Sequence, residues 1–327
     1  MRACWYESCG AADDVFQIGD VPNPVPTNGE ILVRLHTSGI NPSDYKRRAN
    51  VKAGVEFPRV IPHSDGAGVV AALGTGNSGF KIGDRVWVFG AQWGRPFGTA
   101  AEFVSLPAAQ VRPLPDDAGF DEGACFGIPA MTAYRAVFAN GPVSGQTVYI
   151  PAALGRVGAY AVQLAKWGGA HVIANASGPD KCALARSLGA DLCLDRLEGE
   201  LEARLMAETN GHGVDRVIEI DFPGNLAMNE RIVADGGGIA SYGAASAPQA
   251  TITLSPRRAR NFSLQFVFVY SLRPGVMEET CAGVLRAQAA GALQHRIAGS
   301  FPLSELAQAH KFAEAQSGTG HVIVRTA

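Results

Sequence analysis

Residues 147–164 read T-V-Y-I-P-A-A-L-G-R-V-G-A-Y-A-V-Q-L: a short apolar run, a turn of small residues, then apolar residues at helical spacing. The turn, Ala153-Leu154-Gly155-Arg156-Val157-Gly158, is a dinucleotide fingerprint with alanine at the first glycine position. Small residues let the backbone approach a pyrophosphate, and the N-terminus of the following helix offers N–H groups and partial positive charge. The chemistry this pattern serves is nucleotide cofactor binding, and with it oxidation or reduction.

The end of the next strand, Ala174-Asn175-Ala176-Ser177-Gly178, bears on which cofactor. A carboxylate there would bind the ribose hydroxyls of NADH. None is present; the first acid is Asp180, beyond a Gly-Pro turn. Ser177, Lys181 and Arg196 are instead the types that hold a 2′-phosphate, so NADPH is expected. Lys181 in a first helical turn is unfavourable unless an anion neutralises it.

These residues need a strand–turn–helix frame, and the pattern after Pro151 supplies one. Strands are predicted near His171–Asn175, Asp191–Leu194, Val214–Ile220 and Ile239–Tyr242, with helices near Lys181–Leu188, Gly199–Thr209 and Asn225–Val233. Such alternation means a doubly wound parallel sheet. The first third differs: Glu30–Thr37, Gly66–Leu73, Asp84–Phe89 and Thr99–Val104 read as strands punctuated by glycine and proline, a compact β-rich unit. Phe262–Val269 is a further apolar strand, either buried or an edge that pairs with a second subunit. Helices near Met277–Ala290 and Leu303–Ala315 and a strand His321–Arg325 follow.

Composition narrows the class. The 327 residues are 47% hydrophobic and 18% charged with a net charge of −2, which suits a well-buried enzyme of two domains. The densest basic cluster, Arg257-Arg258-Ala259-Arg260, is too short to argue for nucleic acid. The start, Met1-Arg2-Ala3-Cys4-Trp5, lacks a signal peptide's apolar core, and no apolar run has the length of a membrane span. The six cysteines are scattered without a C-x-x-C pair, which favours a reducing cytoplasm.

Five ordered motifs carry a resemblance across nearly the whole chain: residues 39–44 (G-I-N-P-S-D), 63–70 (H-S-D-G-A-G-V-V), 81–86 (K-I-G-D-R-V), 127–134 (G-I-P-A-M-T-A-Y) and the 153–158 turn. The chain resembles the medium-chain dehydrogenase/reductase superfamily, and within it the zinc-independent quinone oxidoreductases, the ζ-crystallin-like group. The resemblance implies a GroES-like catalytic domain (residues 1–121 and 266–327), a Rossmann NADPH-binding domain (122–265), an active site in the cleft between them, and commonly a homodimer, here through the Phe262–Val269 strand. By position it also implies cofactor contacts from Thr132, Tyr242, Gly243, Phe268 and Tyr270; Phe268 equally suits core packing. In the quinone reductases a lysine at the position of Lys181 and a tyrosine at that of Arg196 surround the adenosine phosphate. The arginine keeps that sense.

Zinc-dependent relatives place a cysteine where this chain has Asn41, the histidine of Gly-His-Glu where it has Ser64, and a cysteine near Ile128. His63 and Cys125 are displaced from those positions, and the four close cysteines of a structural zinc lobe are missing between residues 90 and 115. No metal is expected, though His63, Asp65, Asp44 and Cys125 are the one set to check. A quinone or enone accepts hydride with only a hydrogen-bond donor at its oxygen and a later proton. Asn41 is the first candidate for that donor; Asp44 is placed to hold a water or orient Lys46, a cationic donor. Asn41-Pro-Ser-Asp44 also reads as a capped turn. The Gln92–Phe97 loop suits a planar acceptor, a lid or a dimer contact equally. An NADPH-dependent quinone or enone reductase is the leading expectation. The alternatives are an enoyl-thioester reductase of the same superfamily and a non-enzymatic NADPH-binding, crystallin-like or regulatory protein.

Overall fold

The alternation that begins at Glu30 produces an eleven-residue strand, Glu30–Ile40, with Ile31, Val33 and Leu35 buried on one face. From Thr37 onward both faces are covered. The computed structural model describes residues 1–76, 79–315 and 319–326. In chain order the strands are β1 (Arg2–Trp5), β2 (Gln17–Asp20), β3 (Glu30–Ile40), β4 (Asp65–Leu73), β5 (Arg85–Val88), β6 (Phe103–Pro107), β7 (Val111–Pro113), β8 (Thr147–Ile150), β9 (His171–Ala176), β10 (Leu192–Asp195), β11 (Val214–Glu219), β12 (Val233–Ser241), β13 (Ser263–Phe266), β14 (Ile297–Pro302) and β15 (His321–Arg325).

The chain divides into two units, Met1–Pro129 with His295–Ala327, and Ala130–Gln294. In the first, the sheet order is β14-β15-β3-β4-β5-β7, with β6 also on β3. The returning C-terminal strand β15 pairs antiparallel with β3, Val322 opposite Ile40, which is how both chain ends build one unit. Ile31, Val33, Leu35, Val70, Val86, Val88, Val104 and Leu106 form its core. The strand expected at Thr99–Val104 starts later, at Phe103. Thr99 and Ala100 instead direct their N–H groups to the carbonyls of His63 and Pro62, outside any ladder. The capped turn at Asn41–Asp44 opens a helix over residues 42–49, and Tyr45 packs into an apolar cluster with Ile40 and Leu306.

The second unit is a six-stranded sheet, parallel throughout, in the order β10-β9-β8-β11-β12-β13. This is the doubly wound order, whose switch between β8 and β11 opens a binding crevice at the strands' carboxyl ends. Tyr149, Ile173, Leu194, Val217 and Ile239 fill its core.

The unit boundaries fall at 129/130 and 294/295 rather than at 121/122 and 265/266. At the first, Gly39 lies so close to the Ala124 carbonyl that a Cβ would be 2.4 Å from its oxygen. At the second, the helix Pro274–Ala289 packs on Met131–Phe138, with Gly283 against the Tyr134 ring and the Tyr134 hydroxyl donating to Glu279 at 3.0 Å. The apolar strand expected over Phe262–Val269 ends at Phe266, because Val267 and Val269 turn inward and a 3-10 turn begins at Val269. It is the edge strand of the parallel sheet. Among the described residues no helix is long and apolar enough to cross a membrane.

Candidate active site

Asn41 stands at the start of the helix Pro42–Ala49. Its backbone N–H donates to the Asp44 carboxylate at 2.7 Å, which fixes the helix N-terminus and ties one Asp44 oxygen to that task. The Asn41 amide turns the other way and donates through Nδ2 to Asp65 Oδ2 at 2.6 Å. The same oxygen accepts the Ile128 N–H at 2.9 Å. Asp65 Oδ1 has no hydrogen-bond partner among the described residues. It lies against Gly127, where a Cβ would be 2.0 Å away, so only glycine admits this carboxyl. Burial holds Asp65 well above the usual carboxylate range, with the Asp44 charge adding to the effect. Buried Asp65 is therefore the clamp on the Asn41 amide. Lys46 points to solvent.

His63 adjoins this cluster in a left-handed backbone conformation, φ 79°. Its Nδ1 meets Ser38 Oγ at 2.8 Å and its Nε2 meets His310 Nε2 at 2.9 Å, a geometry that requires only one of the two Nε2 atoms to carry a proton. Burial pushes His63 down to about 3, from 6.5. The unfolded chain binds that proton below 6.5, so the stability from neutral His63 is full above 6.5 and is lost as pH falls toward 3. Asp65 has the opposite sign, its raised value costing stability as pH rises above 3.8. Replacing His63 by Asn, which tolerates positive φ, is expected to reduce the acid-side slope of stability by about 1.4 kcal/mol per pH unit between pH about 5 and 6. Urea titrations across that range measure it.

Asn41, at one zinc-ligand position, and His63 and Cys125, displaced from the other two, are each engaged with protein groups. Asn41 donates to a carboxyl, both nitrogens of His63 are engaged, and Cys125 Sγ reaches the Asp121 carbonyl at 3.3 Å. Among the described residues no three His, Cys, Asp or Glu side chains gather to hold a metal ion.

In the parallel-sheet unit, β8 leads into the turn and the helix Arg156–Trp167, with Gly155 as its N-cap. Ala152, one place before the fingerprint, takes a left-handed conformation, φ 51°. Asn175, at the end of β9, holds this turn. Its Oδ1 accepts the Ala152 N–H at 3.0 Å and its Nδ2 donates to the Tyr149 hydroxyl at 2.7 Å. No side chain caps the helix, no acid lies in its first turn, and Arg156 Nε is buried without a partner among the described residues. A cation at an uncapped helix N-terminus calls for an anion, and a pyrophosphate fits.

Gly158 sits where a Cβ would lie 2.3 Å from the Ala152 carbonyl oxygen. A Gly158→Ala variant is expected to lose about 1–3 kcal/mol of stability, measured by denaturant midpoint, and to weaken cofactor binding as the helix moves off the turn.

Ser177 and Arg196 follow the carboxyl ends of β9 and β10 and meet, Arg196 Nε donating to Ser177 Oγ at 2.5 Å. Asp195 braces both loops by accepting the Gly178 and Leu197 N–H groups at 2.9 Å, which hold its carboxyl below the usual range. Lys181 is exposed on the first turn of the next helix. Tyr242 and Gly243 follow β12. A Cβ on Gly243 would be 2.0 Å from the Ile220 carbonyl oxygen, and burial, with Glu219 nearby, pushes the Tyr242 hydroxyl up. Phe268 and Tyr270 follow β13 with ring centroids 5.2 Å apart, Phe268 half exposed. The structure thus brings every expected cofactor residue except Thr132 to the carboxyl edge of one sheet; Thr132 is buried on the helix Met131–Phe138. Asp65 as clamp, Asn175 and Asp195 were not foreseen as site residues. Asp65 and Asn175 stand in quoted motifs, but their partners come from distant segments.

The chain is an oxidoreductase of the medium-chain dehydrogenase/reductase superfamily, and both domain families of that class match it. The Alcohol dehydrogenase GroES-like domain family matches residues 27–116 and the Zinc-binding dehydrogenase family residues 157–287. The chain is similar to the quinone oxidoreductase of Homo sapiens, 28% identical over 99% of this chain and 97% of that one. Among solved structures it is similar to an NAD-dependent alcohol dehydrogenase (28% identity, TM-score 0.89, all of both chains covered). It is also similar to mycobacterial Rv1454c complexed with NADPH (26% identity, TM-score 0.86, 99% of this chain and 100% of that one).

Proposed function

We propose that this enzyme is an NADPH-dependent reductase of quinones or α,β-unsaturated carbonyl compounds that works without a metal. The observation that carries the reading is the Asn41 amide clamped by buried Asp65 at the place of a zinc ligand. Bound NADPH supplies the hydride. Asn41 offers its second amide N–H to the acceptor's carbonyl oxygen and stabilises the charge that gathers there. Water then delivers the proton, so one hydride and one proton reduce one acceptor. Ser177, Arg196 and Lys181 hold the 2′-phosphate, and the turn from Ala153 to Gly158 with Arg156 holds the pyrophosphate. Since relatives use either nicotinamide cofactor, this chain's own strand end, with a hydroxyl and a guanidinium in contact, favours NADPH. The exposed edge β13, with Phe266 68% exposed, supports a homodimer.

The test is cofactor consumption by purified protein, NADPH and NADH separately, with naphthoquinone and a simple enone, a chelator present. Rapid NADPH oxidation that ignores the chelator is the expected result. A preference for NADH, or activity lost to the chelator, overturns the phosphate site or the metal-free reading respectively.

A further inference from the structure

The unit built from both chain ends holds a cavity of about 270 Å³ lined by Tyr6, Arg47, Val55, Glu56, Val60 and Gln92. Arg47 brings it to the last turn of the Asn41 helix, and Val55 and Glu56 belong to the segment that follows that helix. Asn41, Asp44 and Arg47 recur three residues apart and so descend one side of that helix. The Tyr6 hydroxyl on the cavity wall lies in electrostatic reach of both Arg47 and Asp44.

Arg47 is held in a way that leaves its charge on offer. Nη1 donates to Gln92 Oε1 and, at 3.4 Å, to the Gln92 carbonyl. Gln92 is 2% exposed and is itself pinned, its Nε2 donating to the Arg95 carbonyl at 3.1 Å. The guanidinium carbon lies 5.3 Å from the centre of the Trp93 ring. Glu56 approaches Nη1 only to 4.0 Å and is half exposed, a separation at which an ion pair contributes little. Nη2 and Nε, the two-pronged edge that matches a carboxylate or sulfonate, have no protein acceptor among the described residues. Arginines with structural work in this chain look different. Arg48 ends on Glu314 and the Gly10 carbonyl, and Arg216 on the carbonyls of Val137, Asn140 and Gly141.

We propose that this cavity is the subsite for an anionic substituent of the acceptor and that Arg47 is the specificity-determining residue, so the acceptor is a planar quinone or enone bearing a carboxylate or sulfonate. This rests on the reductase reading. Arg47 follows Asn41 by six residues, about 9 Å along a helix axis, less the reach of the arginine side chain, which is the scale of a substituted bicyclic ring. The aromatic loop at Gln92–Phe97 serves the site through Gln92 and Trp93. Arg95 is turned inward to the Ser105 carbonyl.

The experiment compares 1,4-naphthoquinone-2-sulfonate with 1,4-naphthoquinone at saturating NADPH, alongside quenching of tryptophan emission by the sulfonate without cofactor. In the Arg47→Met variant the kcat/KM ratio of sulfonated to neutral quinone is expected to fall about tenfold, with the neutral quinone changed less than about twofold. Glu56→Gln is expected to raise the ratio about twofold, and added salt to lower it in the wild type only. Arg47→Lys, which keeps the charge and loses the fork, retains part of the ratio and serves if the methionine variant misfolds. Equal losses on both quinones, or a ratio unmoved by Arg47→Met and Arg47→Lys, overturn the subsite and leave the reductase reading standing. A wild type that oxidises NADPH with neither quinone, yet binds the sulfonate through Arg47, overturns the reductase reading and leaves the subsite.

Discussion

Replacing Asn41 by alanine is expected to lower kcat about 10²–10³-fold with NADPH affinity unchanged, the loss that follows removal of one donor aimed at developing negative charge. The amide has two roles that the variant separates. One N–H is given to Asp65 at 2.6 Å, and the other is the donor proposed for the acceptor. The Asp44 carboxylate caps the helix through the Asn41 backbone, which alanine keeps, so the helix start survives. Asp65 acts through Asn41 and is a positioning residue. Asp65→Asn keeps an oxygen for Asn41 and Ile128 and is expected to retain most turnover, whereas Asp65→Leu leaves the Asn41 amide without its acceptor. Stopped-flow measurement of the first turnover separates this chemistry from product release. Undiminished turnover in Asn41→Ala would remove the amide from the mechanism and with it the observation on which the functional proposal rests.

The parallel-sheet unit was the more legible in the sequence because its signals are local. Strand, turn and helix around residues 147–167 follow each other without a gap, and the apolar pattern locates β9, β10 and β11 to within a residue, while β12 begins at Val233, six residues before the expected Ile239. The returning strand β15 was also placed correctly, His321–Arg325. Other features depend on groups far apart in the chain. That Gly127 must lack a Cβ follows only once Asp65 is seen against it, 62 positions earlier. The strained Ala152 is fixed by Asn175, whose amide reads in the sequence merely as a missing acid. The unit boundary after Gln294 depends on the Tyr134–Glu279–Arg286 cluster between two helices that sequence alone cannot pair. Spacing therefore located the turn and strand ends proposed to bind phosphate, while the clamp on Asn41 needed the tertiary structure.

Exchanging the cofactor preference is the second large effect expected, and it tests whether a strand end can be read as a phosphate site. The double substitution Ser177→Asp with Arg196→Ala removes the guanidinium and sets a carboxylate where the hydroxyl now receives it. Losing a charge-assisted bond to phosphate and adding like-charge repulsion are together expected to cut kcat/KM for NADPH about 100-fold. The new carboxylate can accept from the ribose hydroxyls, so kcat/KM for NADH is expected to rise. Asp195 makes the exchange feasible. Its carboxyl is already satisfied by the Gly178 and Leu197 N–H groups, and those bonds keep both loops in place when Arg196 is shortened. Arg156 and the uncapped helix behind Gly155 are untouched, so the pyrophosphate keeps its site and the loss falls on the 2′-phosphate alone. The measurement is steady-state kinetics with both cofactors on one acceptor. A variant whose NADPH and NADH efficiencies fall together places the phosphate elsewhere, because only a group that touches the 2′-position can separate the two cofactors.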